Sequence, residues 1–228
     1  MSRKKFFIGA KDSLPIILGY LPIGITLGVT AREVGLLFSD MFSMSFIVFA
    51  GSSQFIGVDM IGAGASFITI IATTFFVNFR HFMMSSAYAP YFSGKKTIPL
   101  ALVFFGITDE SFAIGINTAK SDSEVFGISY LLGLESFAWF SWLLSTCLGL
   151  MLGSLIPSYE TLGLDFALCA MFIGLIAAMI KSKSQLIVCI LSGIISLFLY
   201  QLGLKNFNVI IAAVSVSCIA VGVKYANK

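Results

Sequence analysis

Six ionisable side chains lie inside stretches that are otherwise apolar: Asp59, Arg80, His81, Asp109, Glu110 and Glu135. A charge at the centre of a bilayer costs about 2.5–3.5 kcal/mol on insertion scales, so each of them needs a reason. A guanidinium can hold a carboxylate through paired hydrogen bonds, and imidazole changes charge near neutral pH. A buried carboxyl can bind an ammonium group or carry a proton. All six fall between residues 41 and 156, whereas the last three apolar runs contain no ionisable residue.

Three segments carry this chemistry. In Ala50-Gly51-Ser52-Ser53-Gln54-Phe55, small polar residues interrupt an apolar run. They either unwind the helix and present free N–H groups to an anion such as a carboxylate, or form a tight helix contact. On a helix continuing from there, Ser52 and Asp59 share a face. In Asn78-Phe79-Arg80-His81, the Asn and His share a face and Arg80 points about 100° away. Arg80 either holds a substrate carboxylate or pairs with a buried acid. His81 either couples to protons or is a packing residue. In Thr108-Asp109-Glu110, adjacent acids on a continuous helix point apart, so one of the two is expected to face a cavity. That acid would meet an ammonium group, carry a proton or pair with Arg80. Glu135, near the start of a long run, is expected among the headgroups. Gly24-xxx-Gly28 and Gly149-xxx-Gly153 mark close-packing helix faces.

The elements that position these residues follow from composition. Of 228 residues 58% are hydrophobic and 11% charged, the latter less than half of the roughly 25% usual in soluble domains. Mean hydropathy is +0.99. A soluble enzyme, a nucleic-acid binder and a disordered chain are thereby excluded. The four cysteines form no CxxC pair, so no metal site, disulfide framework or cofactor is expected. Eight apolar runs, 13–31, 41–63, 66–90, 98–119, 125–156, 166–180, 185–204 and 208–223, predict an all-α polytopic membrane protein. Seven or eight transmembrane helices are expected, some of them broken or short, and 125–156 is long enough to require tilt or a break.

Residues 1–12 read as a retained cytoplasmic tail, because Lys11 and Asp12 interrupt any signal-peptide core. Eight crossings place nine Lys/Arg inside and four outside, with both termini cytoplasmic. The whole chain, 1–228, is then one membrane domain. Residues 13–156 form its polar-cored part, and 157–228 an apolar scaffold or partner interface.

The segments Lys11-Asp12-Ser13-Leu14-Pro15, Ala50 to Phe55, Arg80-His81, Thr108-Asp109-Glu110 and Leu164-Asp165-Phe166-Ala167, in this order, resemble the AzlC family. The resemblance covers roughly 11–180. It implies a permease of the bacterial inner membrane that exports leucine, isoleucine and valine, with methionine a further candidate. It also implies a small membrane partner of the AzlD type.

On that reading the N–H groups of Gly51, Ser52, Ser53 and Gln54 and the Arg80 guanidinium hold a substrate carboxylate. Asp109 or Glu110 faces the ammonium, and Phe55 and Phe76 take the side chain. His81, Glu110 and Asp59 serve proton coupling or ion pairing. No Walker A pattern is present, so transport would be secondary, by alternating access. The alternatives are export of another small amino acid or zwitterion, a channel, or a subunit inactive by itself. An intramembrane serine protease using Ser52 or Ser53 with His81 is disfavoured, because Phe55 stands where the GxSxG pattern requires glycine.

Overall fold

The computed structural model describes residues 2–94, 97–153, 182–204 and 208–226, with scattered positions between 166 and 180. Asp165, most of the 166–180 run, residues 154–156, and Lys95, Lys96, Lys181, Lys205 and Lys228 lie outside the described residues. The described residues contain helices and no strands. In order, the helices are α1 (Arg3–Asp12), α2 (Leu14–Glu33), α3 (Phe38–Ile47), α4 (Gly51–Gly62), α5 (Phe67–Tyr88), α6 (Thr97–Phe105), α7 (Asp109–Ser121), α8 (Ile128–Leu152), α9 (Lys183–Gln201) and α10 (Asn208–Ala226).

Among the described residues four helical stretches are long and apolar enough to cross a membrane: Leu14–Glu33, Phe67–Phe92, Ile128–Leu152 and Lys183–Gln201. The expectation of an all-helical membrane chain therefore holds, but the expected seven or eight full spans are not all present as single helices.

The differences are local and have physical causes. The 41–63 run divides into α3 and α4 around an extended Val48–Ala50 segment. The 98–119 run, expected as one helix, also divides, into α6 and α7 around residues 106–108. Half-helices of 9 to 13 residues extend about 14–20 Å, roughly half of a ~30 Å hydrocarbon core. The long 125–156 run behaves oppositely and is unbroken over Ile128–Leu152. Residues 3–12, expected as a tail, form a helix packed on α8.

The chain divides into two compact units, Met1–Leu175 and Ile176–Lys228. In the second, α9 packs on α10, and Asn208 Nδ2 donates to Ser196 O at 3.2 Å and to Ser196 Oγ at 3.0 Å. No residue of α9 is buried, as expected of a helix whose large Ile, Leu and Phe side chains face lipid.

The core of the first unit is the α2–α8 interface. A Cβ at Gly28 would collide with Thr146 O, and one at Gly149 with the Ile25 carbonyl. The two small-xxx-small faces thus meet each other, backbone against backbone. Around this seam lie Leu27, Leu131, Leu134, Ala138 and Trp142. Gly28→Val must push rigid backbone aside, and overpacking of that kind costs about 1–3 kcal/mol. It should lower the thermal unfolding midpoint in detergent, whereas Gly19→Ala, with nothing within 4 Å of the added methyl, should leave it unchanged.

Candidate functional site

Both helix breaks open onto one pocket. It is lined by Gly51 and Ser52 from α4, and by Thr108, Asp109 and Glu110 at the start of α7. Arg80 and His81 from α5, Tyr20 and Ile23 from α2, Phe49 and Ala50 from the first break, and Trp142 from α8 complete it. The cavity is about 20 Å³, room for about one water molecule.

The two helix starts differ in chemistry. Ahead of α7, Thr108 caps the helix: its Oγ1 accepts from Ser111 N at 3.3 Å, and Ser111 Oγ accepts from Thr108 N at 2.9 Å. Asp109 and Glu110 fill the first turn, where negative charge suits the helix dipole. Ahead of α4, Ala50 offers no side-chain cap and the first turn holds no acid. The leading N–H groups of a helix have no partner within it, so those of Gly51 and Ser52 remain available at the pocket wall.

Arg80 Nη1 lies 2.5 Å from Asp109 Oδ2, an ion pair between α5 and α7 at the pocket wall. The side chains are 27% and 25% exposed, so the pair is partly solvated. The Tyr20 hydroxyl lies 2.8 Å from both Thr108 Oγ1 and Glu110 Oε2. With one proton it can donate to only one of them at a time. The Tyr20 ring meets Trp142 edge-on at 5.0 Å and Phe49 at 6.2 Å. Tyr20, Phe49 and Trp142 thus give the pocket an aromatic wall.

The first break is held by a buried chain of side-chain bonds. Trp142 Nε1 donates to Gln54 Oε1 at 2.7 Å, and Gln54 Nε2 donates to Ser45 Oγ at 3.0 Å. Thr146 Oγ1 also donates to Ser45 Oγ, at 2.9 Å. The chain thereby joins α3 and α4 to α8. Ser53 Oγ donates back to Ala50 O at 2.9 Å. Gly51 sits under the indole: a Cβ there would lie 2.9 Å from the Trp142 ring.

Several expectations change at this point. Ser53 and Gln54, expected to bind substrate, are buried away from the pocket and brace the break. Asp59 is exposed near the far end of α4 and does not line the pocket, although it shares a helix with Ser52. Phe55 and Phe76 are not among the lining residues; Tyr20, Ile23, Phe49 and Trp142 take the apolar role. Asp109 and Glu110 both face the pocket, because they begin a helix rather than continue one. Glu135 is 3% exposed, in the packed interior and not at a headgroup surface.

The second break had a readable signal. Thr108 followed three residues later by Ser111, with acids between them, is a helix-start pattern. Tyr20 and Trp142 were marked by the need of a buried O–H or N–H for a partner.

This is an α-helical membrane protein with a polar pocket built at two interrupted helices. The family model described as AzlC protein matches residues 15–156, and the chain belongs to that family. The matched region contains every residue that lines the pocket.

Among similar proteins, an uncharacterized membrane protein of Archaeoglobus fulgidus is 32% identical over 91% of this chain and 90% of its own length. The inner membrane protein YgaZ of Escherichia coli is 32% identical over 80% of this chain and 76% of its own. The branched-chain amino acid transport protein AzlC of Bacillus subtilis is 29% identical over 71% of this chain and 62% of its own. No solved structure matches the chain.

Gln54→Leu should lower stability by about 1–3 kcal/mol, because it strands the Trp142 N–H without a partner. Adding Trp142→Phe removes that stranded donor, so the double variant should be less destabilised than the sum of the single changes. Unfolding midpoints of the three variants in detergent would check this.

Proposed function

We propose that this protein is a secondary transporter that exports branched-chain amino acids across the inner membrane by alternating access. The observation that carries the reading is that one pocket is lined by groups suited to both charges. The uncapped α4 N-terminus and the Arg80 guanidinium suit a carboxylate. Asp109 and Glu110 suit an ammonium group. An α-amino acid carries both charges on adjacent groups. Tyr20, Ile23, Phe49 and Trp142 supply an apolar wall for a branched side chain. The Bacillus relative's name, branched-chain amino acid transport protein AzlC, supports the choice of substrate.

The mechanism follows from the size of the cavity. About 20 Å³ is far too small for an amino acid, so binding requires the Arg80–Asp109 pair to part. The amino acid then replaces each partner: its carboxylate takes the place of Asp109 at Arg80, and its ammonium that of Arg80 at Asp109. The charges stay compensated throughout. When the amino acid leaves, the ion pair re-forms and closes the pocket. In this reading Tyr20 orients Glu110, and His81 lies beside the pair within the same wall.

We read α3–α4 and α6–α7 as interrupted spans with their breaks near the membrane midplane, and both termini as cytoplasmic. A small AzlD-type membrane partner belongs to the same reading, so transport should be assayed with this chain alone and with that partner.

Labelled-leucine counterflow in proteoliposomes should be saturable and inhibited by isoleucine and valine. Arg80→Gln should reduce it at least about tenfold, the loss expected when a charge-assisted bond worth about 1.5–3 kcal/mol disappears. Saturable counterflow of a different small zwitterion but not of leucine would move the substrate assignment. Absence of any counterflow with folded protein, with or without the partner, would overturn the transporter reading. Tyr20→Phe keeps the ring and removes the hydroxyl; it should leave folding intact and weaken counterflow less than Arg80→Gln does.

A further inference from the structure

Glu135 is a buried ionisable group that the proposed pocket leaves unused. It lies on α8, two helical turns before Trp142 and 3% exposed. Neither of its carboxyl oxygens has a hydrogen-bond partner among the described residues. It sits directly against the second break: a Cβ at Gly106 would lie 2.8 Å from Glu135 Oε2 and 2.9 Å from Glu135 Cβ. Gly106 is followed by Ile107 and then by Thr108 and Asp109, which line the pocket. The carboxyl and the pocket are thus on two sides of one short irregular segment.

The charged and titratable groups on the neighbouring elements are engaged elsewhere or exposed. On α1, Asp12 accepts from the Tyr130 hydroxyl at 2.8 Å and Lys5 donates to the Glu124 carbonyl. Arg3 stacks over Phe7, and Lys4 and Lys11 are exposed. On α2, Tyr20 is bonded to Thr108 and Glu110, Arg32 to the Leu150 carbonyl, and Glu33 is exposed. On α3, Asp40 accepts from Leu37 N. On α7, Asp109 pairs with Arg80, Glu110 with Tyr20, and Lys120 is exposed. On α5, the Tyr88 hydroxyl is near enough to Glu135 to sense its charge but donates to the Phe112 carbonyl, at 3.4 Å, and not to the carboxyl; His81 lines the pocket. The α6 sequence contains no ionisable residue, and its Leu102 and Val103 carbonyls accept from Gly106 N.

A carboxylate without a counter-charge or donor is far too costly in such a place, whereas a neutral carboxylic acid is tolerated.

We infer that Glu135 is the proton-carrying residue of this transporter, protonated in the closed state seen here and deprotonated when the α6–α7 break moves. This deepens the transporter reading and rests on it. The closed pocket has no room for an amino acid, so closure with a proton on Glu135 is the return leg of an antiporter. Parting of Asp109 from Arg80 shifts residues 106–108 and opens Glu135 to water, which takes the proton. The amino acid crosses on the other leg. One proton binds to one carboxylate, and no other group is consumed.

The test uses the full chain, with its partner if the partner proves necessary, in proteoliposomes. Glu135→Gln is isosteric with the neutral acid and should fold like wild type. It should keep leucine counterflow within about threefold, because exchange needs no net proton movement. Leucine transport driven by a pH gradient should fall to the no-gradient level. Glu135→Asp should recover part of the driven transport.

Wild-type driven transport in E135Q would overturn the inference. So would loss of counterflow in both variants, which would make the residue structural. A second readout is independent of transport. Infrared spectra in D2O should show a protonated-carboxyl band in wild type that is missing in E135Q; an unchanged band overturns the assignment of the proton. If wild type moved no amino acid at all, the transporter reading would fail, and the band would still report whether Glu135 holds a proton.

Discussion

Backbone N–H and C=O groups exposed by a helix break have no water to turn to inside an apolar layer, so the protein must satisfy them itself. Two breaks in one half of the chain double that demand, and the rest of the first unit is arranged around meeting it. At the second break Thr108 and Ser111 exchange bonds across the start of α7. At the first, Gln54 ties α4 to α3 through Ser45 and to α8 through Trp142. The groups left over are the informative ones: the uncapped start of α4, and the unpartnered carboxyl of Glu135.

One helix supports both breaks. α8 carries Trp142 beneath Gly51 and Glu135 beneath Gly106, and its glycines interlock with those of α2. The α2–α8 seam has backbone against backbone and no slack. The broken helices meet α8 through side chains instead: Ser45 and Gln54 at the first break, and Glu135 against Gly106 at the second. The Arg80–Asp109 pair ties the continuous helix α5 to the start of α7.

Gln54 and Arg80 illustrate how similar polarity serves different ends. Gln54 is 1% exposed, and both ends of its amide are bonded, so it specifies a geometry. Arg80 is 27% exposed and paired to an acid on another element, so its pairing is reached by solvent. A fully satisfied buried network favours rigidity. A half-exposed ion pair costs less to open.

The amino-acid order by itself determined the membrane class, the helical content, the polar segments around 51, 80 and 109, and the glycine faces of α2 and α8. These follow from hydropathy and local spacing, which act through neighbours in the chain. The sequence did not reveal that 98–119 divides, because the apolar run conceals the Thr108 cap until one asks where its hydroxyl goes. It did not separate Ser52, at the pocket, from Ser53, one residue further and buried. Nor did it show that Asp109 and Glu110 share a cavity, that Asp59 stands apart, or that Glu135 lies in the interior. Each of those depends on which remote segment arrives opposite a side chain. Only tertiary packing decides that, because burial and pairing are properties of two surfaces in contact.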